Sequence, residues 1–172
     1  GVEIHYFEGN HDLYLSTYFH EQLGFNVHAS PLITQLGPHK LRIEHGDQMD
    51  PSDWGYRFLR AALRSRLFTW LAPRLPGPRV AAFGERMSEA SRQRRDHTVS
   101  TDSTLSMQRL MSTHYDRIKA GENFFIAGHI HHRFSLSHKN SDSVTQIINL
   151  GTWGPNAHLL EITESGARFL DL

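Results

Sequence analysis

The apolar run NFFIA, residues 123–127, is the feature that most restricts the fold of this chain. Its length and composition are typical of a buried strand, and Gly128 permits a tight turn directly after it. His129 and His131 follow with one residue between them, and in an extended segment such side chains point to the same side. A buried strand that ends in two such imidazoles predicts a ligand site at the strand end, although a solvated loop is the alternative for one isolated H-x-H.

Other short segments also alternate with a period of two residues and predict strands. They are Glu3–Phe7, Gly24–His28, Leu41–Glu44 and the runs HRFSLSH, TQIINLG, HLLEIT and ARFLDL. Helices are expected over 13–23, from Pro51 to about Leu71, over about 80–95 and over about 102–120. The last helix should place Leu105, Leu110, Met111, His114 and Ile118 near one face. The fold class expected from this order is α/β, with two mixed sheets flanked by helices and a helical insertion at 51–120.

Two more predicted strands end in possible ligands beside a glycine. Gly9-Asn10-His11-Asp12 follows the strand Glu3–Phe7, and His45-Gly46-Asp47 follows Leu41–Glu44. Metal and catalytic sites are commonly built where several strand ends meet. We therefore expect Asn10, His45, His129 and His131 to surround one point.

Composition excludes several classes of protein. The chain has no cysteine, which rules out disulfides and thiolate metal sites. Its formal net charge is zero, so the overall charge does not indicate a nucleic-acid partner. No apolar run approaches the roughly 18 residues of a membrane span, and no signal peptide is visible.

The motifs GNHD, HGD and GHIH, in this order, resemble those of the calcineurin-like metallophosphoesterases. That resemblance implies a sandwich of two mixed sheets with a two-metal site at strand ends. It implies that Asn10, His45 and His129 are ligands of the second metal and that His131 is a ligand of the first. His132 is outside the pattern, and a structural or solvent-facing role is expected for it.

The same resemblance implies two catalytic residues. His11 matches the residue that assists the leaving group or steadies the phosphoryl oxygens, and Asp12 matches its orienting partner. Nitrogen and oxygen ligands suit two divalent ions, for which manganese is the choice and iron or zinc the alternatives.

The family motifs D-x-H and G-D-x-x-D, which precede GNHD, have no counterpart here. We therefore expect the chain to be the C-terminal part of one metallophosphoesterase domain, lacking its N-terminal strands. Without the carboxylate that bridges the two ions, it is expected to bind metal weakly and to turn over little.

The helical middle carries ten arginines against four acidic residues between Asp53 and Val99, a local net charge of +6. Large apolar residues are interleaved with them. Arg57, Arg60, Arg64 and Trp70 are therefore predicted to bind a phosphorylated, partly apolar substrate. A basic amphipathic helix could instead lie on an anionic membrane surface, or pack its apolar face on the domain.

Basic and aromatic helices between the lone histidine and GHIH, with NLGTW downstream, are similar to the UDP-2,3-diacylglucosamine hydrolase branch of the family. The branch usually has arginine where His11 stands. It implies hydrolysis of the pyrophosphate of a lipid-linked UDP sugar during bacterial lipid A synthesis, in the cytoplasm or at the inner face of the inner membrane. Another phosphodiester or phosphomonoester, or a non-catalytic module that docks on membrane, are the alternatives.

Overall fold

A computed structural model describes residues 1–10, 15–71, 74, 103–118, 121–139, 143–154 and 158–172. The strands are β1 (His5–Phe7), β2 (Asn26–His28), β3 (Leu32–Leu36), β4 (His39–Glu44), β5 (Phe124–Ala127), β6 (Phe134–Lys139), β7 (Val144–Asn149), β8 (His158–Thr163) and β9 (Gly166–Asp171). The helices are a π-helix (Ser16–His20), α1 (Trp54–Leu63), α2 (Arg66–Leu71) and α3 (Ser103–Ile118).

A five-stranded mixed sheet is the centre of the described part of the chain. Its strand order is β3-β4-β5-β7-β6, and the inner strands β4, β5 and β7 run parallel to one another. Strands β1 and β2 form a short parallel pair, and β8 and β9 form an antiparallel hairpin. Because β4, β5 and β7 are parallel, their C-terminal ends lie at one edge of the sheet.

Strand β5 is buried on both faces, as its continuous apolar run predicts. Phe125 and Ala127 pack with Met111 and Tyr115 of α3 on one face. On the other face, alternate residues of β5 pack against the apolar side chains of the β8–β9 hairpin. The sheet therefore lies between a helix and a hairpin, and the predicted α/β class is confirmed.

Several predicted elements differ from the observed ones. All five strands expected after residue 121 are found, but β3 was not predicted, and its residues are mostly exposed at the sheet edge. The helix expected from Pro51 instead begins at Trp54, because the Asp53 carboxylate accepts the Tyr56 N–H and caps it there. That helix is also interrupted between α1 and α2.

Other helix predictions were met in part. Of the helix expected over 13–23, the described residues show the π-helix alone, and Gly24 follows with φ of 70°. The helix expected over 80–95 lies outside the described residues. Helix α3 buries Met111 and His114 as expected, whereas Leu105 is exposed. None of the described helices is long and apolar enough to cross a membrane.

Candidate metal centre

The ends of β4 and β5 bring two of the predicted ligands to the same edge of the sheet. Glu44 and Ala127 are register partners, and each is the last residue of its strand. One step further, the Gly128 N–H donates to the His45 carbonyl at 3.1 Å. The rings of His45 and His129 meet edge to face, with centroids 5.3 Å apart.

The end of β1 reaches the same place because residue 9 is glycine. A Cβ atom at Gly9 would lie 2.6 Å from Cε1 and 2.8 Å from Nε2 of the His45 ring, closer than real Cβ contacts allow. The next residue, Asn10, places its Oδ1 atom 3.3 Å from His45 Nε2. His45 is therefore close to both Asn10 and His129.

The spacing of Asn10 and His45 suits two neighbouring ligands of one ion. With bond lengths of about 2.1 Å, adjacent donors are separated by about 3.0 Å at a right angle and about 3.4 Å in a tetrahedron. The observed 3.3 Å between Oδ1 and Nε2 lies within that range. Amide oxygen and imidazole nitrogen are both donors that manganese, iron and zinc accept.

The described residues fit part of one ion's ligand shell and do not complete it. Nowhere among them do three or more His, Cys, Asp or Glu side chains form a group that could hold a metal ion. His131 is exposed in the loop after His129. The metal-ligand roles of all four predicted residues stay predictions.

His129 occupies a strained backbone conformation. Its φ is 65°, the one positive value at a residue other than glycine in the described ranges. The Ile130 N–H donates to the Gly128 carbonyl at 2.7 Å, which closes a γ-turn around His129. Strain of this kind clusters at functional sites and persists where the surrounding structure enforces it.

Three buried carboxylates lie next to the motif residues, and each is paired with an arginine. Glu8 precedes Gly9, Glu44 precedes His45, and Asp47 follows Gly46. The pairs are Glu8 with Arg64 at 2.7 Å, Glu44 with Arg42 at 2.9 Å and Asp47 with Arg60 at 2.7 Å. These pairs neutralise the carboxylates and fix the loops that carry Asn10 and His45.

Glu44 also connects the site to α3. Burial raises the pKa of Glu44, but the hydrogen bond from His114 and the charge of Arg42 outweigh that effect, so its pKa is lowered. Nε2 of His114 lies 3.0 Å from the Glu44 carboxylate, while Arg117 donates to His114 Nδ1 at 2.8 Å. Because Nδ1 accepts this bond, the proton of the neutral ring is on Nε2.

Side chains of helix α1 and its C-terminal end bond to the loops that follow three strands. The Tyr56 hydroxyl donates to Asp47, and burial together with this bond raises the Tyr56 pKa. Arg60 bonds the same Asp47 oxygen and also donates to the Ala29 carbonyl at 3.1 Å. Arg64 reaches Glu8 from the end of the helix. One helix therefore connects the loops after β1, β2 and β4.

The four predicted substrate-binding residues fall into two groups. Arg60 and Arg64 are in the ion pairs just described, whereas Arg57 and Trp70 are exposed. Trp70 is 59% exposed and Arg74 stacks on its ring at 4.0 Å.

The catalytic candidates His11 and Asp12 lie outside the described residues. His132 is exposed, with Nε2 3.3 Å from the Thr104 hydroxyl.

The carboxylates Glu8 and Glu44 were not predicted from the sequence, and Arg64 was predicted to bind substrate rather than Glu8. The available signal was their position, since each lies at the end of a predicted strand directly before a motif residue. Charged residues are rarely buried without a partner. An acidic residue at the buried end of a strand therefore predicts a basic partner elsewhere in the chain.

Replacing Gly9 by alanine should displace the His45 ring. The expected result is at least a tenfold weaker affinity for Mn²⁺, because His45 and Asn10 can no longer keep their spacing. Gly55→Ala is the control, since a Cβ at Gly55 meets only the Asp53 carboxylate, at 4.0 Å. Calorimetric Mn²⁺ titration of both variants measures the difference. Equal affinities would contradict the role given to Gly9.

Nearly the whole chain is similar to bacterial hydrolases, although no family model matches it. The relatives are UDP-2,3-diacylglucosamine hydrolases. The protein of Histophilus somni (strain 129Pt) is 26% identical over 99% of this chain and 70% of its own length. That of Nitrosococcus oceani is 29% identical over 99% and 67%. That of Porphyromonas gingivalis (strain ATCC BAA-308 / W83) is 38% identical over 43% and 30%.

Proposed function

We propose that this protein is a metal-dependent hydrolase of the pyrophosphate bond in a lipid-linked UDP sugar of the UDP-2,3-diacylglucosamine type. The observation that carries the proposal is similarity to UDP-2,3-diacylglucosamine hydrolases over 99% of the chain. The strand-end donors around His45 support it, because they are oxygen and nitrogen ligands of the kind that hydrolytic metal ions take.

In this mechanism Asn10, His45 and His129 would hold one divalent ion, and His131 would contribute to a second. When bound, such ions activate a water molecule and stabilise charge on the phosphate oxygens. The ion pair between Glu44 and Arg42 and the contact of His114 would keep His45 in place. His11, with Asp12, would assist the leaving group.

The exposed apolar side chains of α1 and α2 support a substrate with a lipid part. Trp54, Phe58, Leu67 and Trp70 are all more than half exposed, and Arg57 and Arg66 are exposed near them in sequence. Together they would bind acyl chains and phosphate. Residence at the inner face of a membrane is part of this proposal, because a lipid-linked substrate is found there.

A substrate panel with and without Mn²⁺ tests the proposed function. UDP-2,3-diacylglucosamine should release UMP in a reaction that needs the metal and stops with a chelator. UDP-N-acetylglucosamine, which lacks the acyl chains, and bis-p-nitrophenyl phosphate should react at least about tenfold more slowly, because they cannot use the apolar surface. Preference for bis-p-nitrophenyl phosphate would favour the alternative, a phosphodiesterase of another substrate class. Hydrolysis unaffected by the chelator would contradict metal dependence.

A further inference from the structure

Strand β7 lies beneath the loop that carries His129 and His131. In the sheet, β7 is between β5 and β6, so residues 128–133 must cross over its C-terminal end. Asn149, the last residue of β7, has Ala127 as its register partner on one side and Phe134 on the other. It therefore lies directly between the two ends of this loop.

The side chain of Asn149 bonds to the loop from below. Asn149 is fully buried, and its Nδ2 group donates to the Ile130 carbonyl at 2.5 Å and to the His132 carbonyl at 2.7 Å. Two carbonyl oxygens at these distances require a donor, which fixes the orientation of the amide. Its Oδ1 atom receives no hydrogen bond from the described residues. The contribution of the side chain to the loop therefore comes from the NH₂ group.

Neighbouring backbone contacts keep the loop close to the end of β7. The Leu150 N–H donates to the Ala127 carbonyl at 2.8 Å. Gly151 has φ of 77°, and a Cβ there would lie 3.0 Å from the Arg133 nitrogen. These contacts fix the two ends of the loop. Its middle, which carries the strained His129, is bonded through Ile130 and His132 to Asn149.

We infer that Asn149 is a positioning residue that sets the geometry of the ligand loop 128–133 without contacting the metal. Its paired hydrogen bonds fix the carbonyls on either side of His131 and keep the γ-turn at His129 closed. This inference rests on the proposed function for its link to metal binding, whereas its effect on the loop can be measured without metal.

Asn149→Ser and Asn149→Ala are the matched test variants, because both shorten the side chain and only serine keeps a donor. Thr145→Val is the control for stability. This substitution removes a fully buried hydroxyl at the opposite end of β7 from Asn149. The Thr145 hydroxyl bonds the Tyr115 hydroxyl and donates to the Glu122 carbonyl.

Amide hydrogen exchange in the metal-free protein is the first measurement. Asn149→Ala should increase exchange at Ile130 by at least tenfold, Asn149→Ser by less, and Thr145→Val should leave that residue unchanged. Equal exchange in the alanine and serine variants, or an equal increase in Thr145→Val, would overturn the inference.

Calorimetric titration with Mn²⁺ is the second measurement. Affinity should fall about 10- to 100-fold in Asn149→Ala, as for other residues that orient metal ligands, and by less than twofold in Thr145→Val. Unchanged affinity in Asn149→Ala would overturn the link to the ligands. If the unaltered protein takes up no Mn²⁺, the proposed function fails, while altered exchange at Ile130 still supports the role of Asn149 in the loop.

Discussion

Replacement of Arg64 by methionine is expected to lower the free energy of unfolding by about 3 kcal/mol. Arg64 is the ionic partner of Glu8, whose side chain is 4% exposed, and their atoms are 2.7 Å apart. Without the guanidinium, the Leu15 N–H at 3.0 Å is the one remaining bond to this carboxylate among the described residues. A buried charge that loses its partner is costly, because water cannot reach it.

Denaturant unfolding measures this effect, and the chain supplies a matched control. Arg168 and Glu161 form an ion pair of 2.6 Å on the hairpin, with side chains 70% and 37% exposed. Arg168→Met should change stability by about 0.5 kcal/mol or less, since exposed pairs contribute little. Adding Glu8→Gln to Arg64→Met should recover much of the lost stability, because no buried charge then remains. Similar losses in Arg64→Met and Arg168→Met would contradict this account.

The strand order shows why so much of this edge could be predicted from sequence. The run at 124–127 is apolar at every position, which indicates a strand covered on both faces, and β5 is buried throughout. Once β4 and β5 are parallel neighbours, the residues after Glu44 and Ala127 must lie together. Local patterns therefore located the two strand ends, and the parallel pairing of β4 with β5 brings His45 near His129.

The contacts of Glu8 with Arg64 and of Glu44 with His114 could not be predicted in the same way, because each joins residues far apart in the chain. Arg64 meets Glu8 across 56 positions, and His114 meets Glu44 across 70. Of the ten arginines in the middle of the chain, Arg57, Arg60 and Arg64 were predicted to bind substrate, and no pairing with a carboxylate was predicted. Which of them face the site depends on the start of α1, and the Asp53 cap sets that start three residues after Pro51.

Edge strand β3 was missed for a different reason. Among the described strands it pairs with β4 alone, and it leaves Ile33 and Leu36 about half exposed, so its apolar residues follow no strong alternation. An edge strand depends on backbone pairing with its neighbour more than on burial. The alternation of apolar and polar residues reflects which face of a strand is buried. The alternation is therefore weak in a strand that is mostly exposed.

The largest functional effect is expected from His45→Ala. His45 is near both Asn10 and His129, and its ring occupies the space left by Gly9. Its loss should lower Mn²⁺ affinity by at least about 100-fold and kcat/KM by at least about 1,000-fold, or roughly 4 kcal/mol of transition-state stabilisation. Stability should change by only about 1 kcal/mol, because the ring is half-buried and mainly contacts polar groups.

His39→Ala is the matched control for this prediction. His39 begins the strand that His45 follows, and its Nε2 atom lies 3.0 Å from the Glu164 carbonyl. Its ring also meets an aromatic neighbour, Phe124, edge to face at 5.0 Å. Each variant removes a histidine that makes at least one side-chain hydrogen bond and one ring contact, so similar stability losses are expected. If His39→Ala and His45→Ala reduce Mn²⁺ affinity equally, the loss reflects general loosening of β4, and the assignment of His45 as a metal ligand is wrong.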